Sequence, residues 1–161
     1  MAVVVSDTSP LRALGHLQLV HVLKPLYGRV IVPPGVVAEL ARTPAGFVPI
    51  DMEAHAFIEV QDPVDRRLVE SLFDRLGRGE AEAIALALEI HADFILVDEA
   101  LGRSVAKRRG LLPVGVVGVL AQAKLVGLVP QVRPLLERLE AELDFRLSDE
   151  VKARGLRLAG E

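Results

Sequence analysis

Between Gly77 and Glu99 the chain changes its hydrophobic period once, and that change dictates an architecture. Gly77-Arg78-Gly79 breaks the backbone ahead of Glu80-Ala81-Glu82-Ala83-Ile84-Ala85-Leu86-Ala87-Leu88-Glu89-Ile90, a run of strong helix formers. His91-Ala92-Asp93 makes a turn, and Phe94-Ile95-Leu96-Val97 then follow without alternation and stop at Asp98-Glu99. A strand that is apolar at every position must be covered on both faces, as in a parallel sheet between helical layers. Ligands of such sheets bind beyond the carboxyl ends of the strands, which is where Asp98 falls. Glu80, in the first turn of the helix, shares a face with Ala83, Ile84 and Ala87, so its carboxylate stands at the edge of the core.

The rest of the chain repeats the scheme. Ala2 to Ser6 reads as a buried strand ending at Asp7, an acid placed like Asp98, and Thr8-Ser9-Pro10 opens a helix to Leu14. His16 to Leu26 reads as a further helix, Arg29 to Val32 as a strand, and Val36 to Ala41 as a helix carrying Glu39 among apolar neighbours. After a Gly/Pro loop over Thr43 to Pro49, Ala56 to Val60 fits an edge strand. Asp62-Pro63 then looks like the start of an amphipathic helix striped by Val64, Leu68, Leu72 and Leu76. Ala100 to Arg109 predicts a basic helix, Leu111 to Val117 contains a strand, and Val119 to Val126 and Pro130 to Leu143 are helical. Ser148 caps a short last helix through Ala153. The alternation predicts one domain over residues 1–161, a three-layer α/β/α fold with a mostly parallel central sheet.

Composition narrows the chemistry. Aromatic residues are 4% of a chain that is 51% hydrophobic, so aliphatic side chains must build the core. The absence of cysteine excludes disulfides, thiolate zinc sites and cysteine nucleophiles. Neither a secretory leader nor a bilayer-length apolar run is evident, so the expectation is a cytoplasmic protein with no membrane contact. A net charge of −3 gives no global nucleic-acid footprint, although a local basic rim could still contact phosphates. His16, His21, His55 and His91 lack metal-ligand spacing, and Gly77-Arg78-Gly79 matches no dinucleotide or P-loop fingerprint.

Asp7, Glu39, Glu80 and Asp98 remain as acids at strand ends or on apolar helices. Two bare carboxylates about 4 Å apart repel by roughly 4 kcal/mol at an effective dielectric of about 20, so four converging acids need a counter-charge. A hard divalent cation supplies one, and an all-oxygen donor set selects Mg2+ or Mn2+ over zinc. Each acid also has an ordinary reading. Asp7 and Asp98 could cap the helices that follow them, the helix dipole favours Glu80 in a first turn, and Glu39 could lie on a solvated face.

The ordered series Val4-Val5-Ser6-Asp7-Thr8-Ser9-Pro10-Leu11, Val32-Pro33, Val37-Ala38-Glu39-Leu40, Gly79 to Ala87, and Leu96-Val97-Asp98-Glu99 resembles the PIN-domain superfamily. The likeness is closest to the PIN-like nucleic-acid-binding branch related to VapC toxins, and Gly118 to Leu136 extends it nearly to the end of the chain. The resemblance implies a Mg2+- or Mn2+-dependent ribonuclease, the toxin of a toxin–antitoxin pair, with Asp7 and Asp98 as principal metal ligands. It implies that Glu80 completes the shell directly or through water and that Glu39 orients the hydrolytic water or a second ion. Thr8 or Ser9 would hydrogen-bond within the site, and Arg103 would contact phosphate. Single-stranded RNA, a small antitoxin protein and a homodimeric partner copy are the implied partners. Two departures stand out: Glu99 follows Asp98 where relatives often carry a second Asp, and Val116 follows Gly115 where many carry Thr. Whether Glu99 joins the site, and whether Glu82 replaces Glu80, stays open at this level. An aspartate-nucleophile phosphatase would need an acid two residues after Asp7, where Ser9 stands. A catalytically silent RNA- or protein-binding module is the other reading.

Overall fold

A computed structural model describes residues 2–161. Five short strands, β1 (Val4–Ser6), β2 (Val30–Val32), β3 (Ile58–Val60), β4 (Phe94–Leu96) and β5 (Pro113–Val114), form one sheet in the order β3-β2-β1-β4-β5. Every pairing is parallel, with Val5 opposite both Ile31 and Ile95. The predicted three-layer α/β/α fold is therefore present, and β1 is its central strand.

The unbroken apolar runs follow from burial on both sides. Val4, Val30, Val32 and Leu96 point into one core, formed with α1 (Thr8–His16), α2 (Leu23–Tyr27), α7 (Val116–Leu125) and α8 (Arg133–Leu143). Val5, Ile31, Ile95 and Val97 point into the other, formed with α4 (Arg66–Leu72), α5 (Arg78–Glu89) and α6 (Ala100–Arg108). The remaining helices are α3 (Pro34–Ala41), packed against α1 and α5, and α9 (Asp149–Leu158), packed against α7.

Several element boundaries differ from the sequence expectations, and four of the differences have a clear local reason. The helix expected over His16 to Leu26 is interrupted because Gln18 turns left-handed at φ 58° and the Leu19 N–H closes on the Leu14 carbonyl at 2.8 Å. A 3-10 turn (Val20–Val22) and α2 follow. Asp65, not Asp62, caps α4 by accepting the Leu68 N–H at 3.1 Å, which leaves Val64 outside the helix and exposed. The helix α7 begins at Val116 rather than Val119, since a carboxylate from β4's end accepts its first free amide, as described below. Finally α9 runs to Leu158 because Gly155 does not end it: the glycine is buried, and a Cβ there would collide with Val117 Cγ1 of α7.

Candidate active site

Parallel strands deliver their carboxyl ends to one edge of the sheet, and the predicted acids gather along it. Asp7 follows β1, its N–H bonded to the Leu96 carbonyl of β4 at 2.9 Å. It occupies the N-cap position of α1, yet its side chain makes no capping bond, so the capping reading does not account for it. Asp98 does not cap the adjacent α6 either, where Glu99 holds the N-cap position. Its Oδ1 instead accepts the Val116 N–H of α7 at 2.9 Å. Val116 offers Asp98 this backbone N–H and no side-chain hydroxyl.

Glu80 and Glu82 lie on one helix but have different fates. Glu82 is 2% exposed, and both its oxygens are engaged: Oε1 by the Gly35 N–H at 3.3 Å and Oε2 by Arg78 Nε at 2.8 Å. It fastens α5 to α3. Glu80 Oε2 is buried and has no hydrogen-bond partner among the described residues, and Asp98 Oδ2 is in the same condition. Glu39 is held from two sides, Oε2 accepting from the Thr8 hydroxyl and Oε1 from the Gly79 N–H at 3.0 Å. Arg12 secures this part of α3 by donating to the carbonyls of Glu39 and Arg42.

The electrostatics follow this geometry. Burial raises the Asp7 carboxyl to about 7; the Thr8 N–H opposes the rise, and the charges of Glu80, Glu39 and Glu99 add to it. Glu80 is also raised to about 7, by burial first and then by Glu99 and Glu39. Asp98 rises to about 6 through burial, moderated by the Val116 N–H and Arg103. Asp7, Glu39 and Glu80 thus share one field, and Glu99, which sequence reasoning left open, links it to Asp98. As the side chains lie, no three of the described acids and histidines are grouped to hold one ion.

This donor set fits a hard cation that keeps much of its own water. All donors are oxygens, two carboxylate oxygens lack partners, and no cationic side chain among the described residues offsets Asp7 or Glu80, while Mg2+ is commonly bound through one or two carboxylates. Asp7, Glu80 and Asp98 are the side chains with that capacity; Glu39 already accepts a bond on each oxygen.

A groove of about 1250 Å3 leads away from Asp98, Glu99 and Ser9. One wall is α6, with Arg103, Lys107 and Arg108; the other is the segment after α8 together with α9, which brings Arg146 and Arg154. The last two were missed in the sequence because nothing local marks them, and only the return of α9 onto α7 places them near α6's side. Arg103 is turned inward, Nη1 lying 3.4 Å from the Val97 carbonyl.

An open α/β protein with acids along the carboxyl edge of a parallel sheet belongs to the class that works at that edge. A family model, DUF3368, described as a PIN domain, matches residues 3–161, and the chain belongs to the PIN-domain family. The fold is accordingly of nuclease type, in a family of hydrolases that generally use divalent metals. No curated protein matches the chain. No helix of the described residues is long and apolar enough to cross a membrane.

Proposed function

We propose that this protein is a Mg2+- or Mn2+-dependent ribonuclease that hydrolyses phosphodiester bonds of RNA, acting as the toxin of a toxin–antitoxin pair. The observation that carries the reading is the presence of two buried, unpartnered carboxylate oxygens on Glu80 and Asp98, with Asp98 at the head of a groove walled by basic residues. A bound divalent ion would polarise the scissile phosphate and acidify a water. Asp7, Asp98 and Glu80 hold it in this reading. Glu39, immobilised by Thr8 and Gly79, orients the attacking water through its remaining lone pairs. Ser9 lines the head of the groove, while Lys107, Arg108, Arg146 and Arg154 attract phosphates along it. Arg103 offsets the Asp98 charge and contacts phosphate only if its guanidinium leaves Val97. A small antitoxin and a homodimeric state rest on the family resemblance, and co-purification with a neighbouring small protein and light scattering test them.

The test is cleavage of a mixed RNA panel with Mn2+, comparing the wild type with Asp7→Asn and Asp98→Asn. Cleavage lost in both variants supports the assignment, and undiminished cleavage in both removes it. One observation favours the silent binding module: no three of the described acids are grouped around one ion position. Salt-sensitive RNA binding with no cleavage by the wild type would select that module.

A further inference from the structure

Glycine inside a helix is disfavoured, because it gives up more backbone freedom on ordering than any other residue and adds no packing. Gly102 nevertheless sits within α6, buried and without the positive φ that explains Gly28, Gly46, Gly110, Gly127 and Gly160. Space is the remaining reason. A Cβ at position 102 would fall 2.7 Å from Cδ of Glu80, closer still to its Oε2, and 3.0 Å from Val97 Cγ2.

Other acids near this edge also rest against a glycine of another element. A Cβ at Gly79 would lie 2.6 Å from Glu39 Oε2, and one at Gly115 would lie 2.7 Å from Asp98 Oδ1. Glu82 is likewise seated on Gly35. Glu39, Asp98 and Glu82 are also held by hydrogen-bond donors on one or both oxygens. Glu80 Oε2 has none, so the shape of α6 is what places it.

We infer that Gly102 is a positioning residue: its missing side chain is the seat that keeps the Glu80 carboxylate at the edge of the sheet beside Asp7, ready to meet a divalent ion. The inference rests on the metal-dependent reading above for the ion, and on packing alone for the seat. A methyl at 102 pushes Glu80 off its place; an acid one methylene shorter, or none at all, relieves the conflict.

The experiment is a double-mutant cycle on the full chain, read by metal-free thermal unfolding and by calorimetric titration with Mn2+. Gly102→Ala is expected to lower the metal-free melting temperature although alanine is the better helix former. Placing Glu80→Ala in the same chain restores it to the value of Glu80→Ala alone. With Mn2+, Gly102→Ala weakens affinity roughly ten- to hundredfold, as the removal of a supporting group around a metal does. Gly102→Ala with Glu80→Asp recovers part of that loss, while Glu80→Asp alone weakens binding. An equal melting penalty from Gly102→Ala with and without Glu80 would overturn the seat, since the methyl would then be clashing with something else. If the cycle shows the metal-free coupling but the wild type binds no Mn2+, the metal-dependent reading fails and the role toward the ion falls with it. A Gly102→Ala chain too unstable to titrate leaves the decision to Gly102→Ala with Glu80→Ala: restored folding supports the seat, and continued failure to fold overturns it.

Discussion

At the amino end of the sheet, Asp93 accepts the Val3 N–H at 2.7 Å, and Glu89, at the far end of α5, accepts the N–H groups of Val64 and Asp65. Glu161 likewise takes the amides of Val132 and Arg133, with Lys124 beside it. At the carboxyl end, Glu80 and Asp98 each bury an oxygen that nothing donates to, and Asp7 is desolvated among other acids. Acids at the amino end thus tie the backbone together, whereas at the carboxyl end Glu80 and one oxygen of Asp98 stand without a donor among the described residues, beside Glu39 and Glu82, which are held. Buried carboxylates without partners work against folding, so in the metal-dependent reading a bound cation would return stability that these acids withhold.

The comparison can be broken most directly by neutralising the acids at the carboxyl end. Asp98→Asn and Asp7→Asn should each reduce Mn2+-supported RNA cleavage by about 100- to 1000-fold, the scale of losing one stabilising group at developing charge. Asp7→Asn should at the same time raise the metal-free melting temperature at neutral pH. Loss of stability in step with activity would show that Asp7 is structural.

Acid–base linkage gives the next largest effect. A carboxyl whose folded value is raised, as for Asp7 from 3.8 to about 7, holds its proton more tightly in the folded chain than in the unfolded one. Its contribution is therefore greatest below the unfolded value and disappears as pH rises through the folded one. Between about pH 4 and pH 8 the metal-free protein should lose ~2–4 kcal/mol from Asp7, at 1.36 kcal/mol per unit before solvent relaxation. Denaturant titrations across that range measure it, and Asp7→Asn should flatten the profile. Added Mn2+ should stabilise more at the upper end of the range, because ligands must be deprotonated to bind.

At the opposite end the expectation inverts. Glu89→Ala strips two amides at the entry to α4 of their acceptor and should cost about 1–2 kcal/mol in urea unfolding, with cleavage per folded molecule unchanged. The smallest change belongs to the groove. Arg146→Ala or Arg154→Ala should weaken RNA binding a few-fold and make the plot of log affinity against log salt shallower by roughly 0.7 for each phosphate the protein ceases to neutralise. A salt slope unmoved by either substitution would place the RNA elsewhere.

The layers of the fold were legible because burial on both faces of β1, β2 and β4 leaves a continuous apolar run, and because an acid abruptly ends two of those runs. Asp7 and Asp98 could be found on that signal alone. What separates Glu80 from Glu82 was not legible. Both stand in the first half of α5, and the decision is made by Gly35 and Arg78 claiming Glu82 while Gly102 merely leaves room for Glu80. The bond from Val116 to Asp98 was hidden for a similar reason: a backbone amide has no signature in sequence, and its use moved the start of α7 three residues earlier than the apolar pattern suggested. The continuation of α9 past Ala153 was hidden as well, because the contact that Gly155 admits with Val117 appears only once α7 is in place.

The bond between Asp98 and the Val116 amide also sets an order of events during synthesis. A growing chain that has already emitted its first hundred residues carries Asp7, Glu39, Glu80 and Asp98, but it cannot fasten the last of these until Val116 has left the ribosome. A chain that stops short of Val116 therefore lacks the backbone donor that holds the Asp98 carboxylate in place.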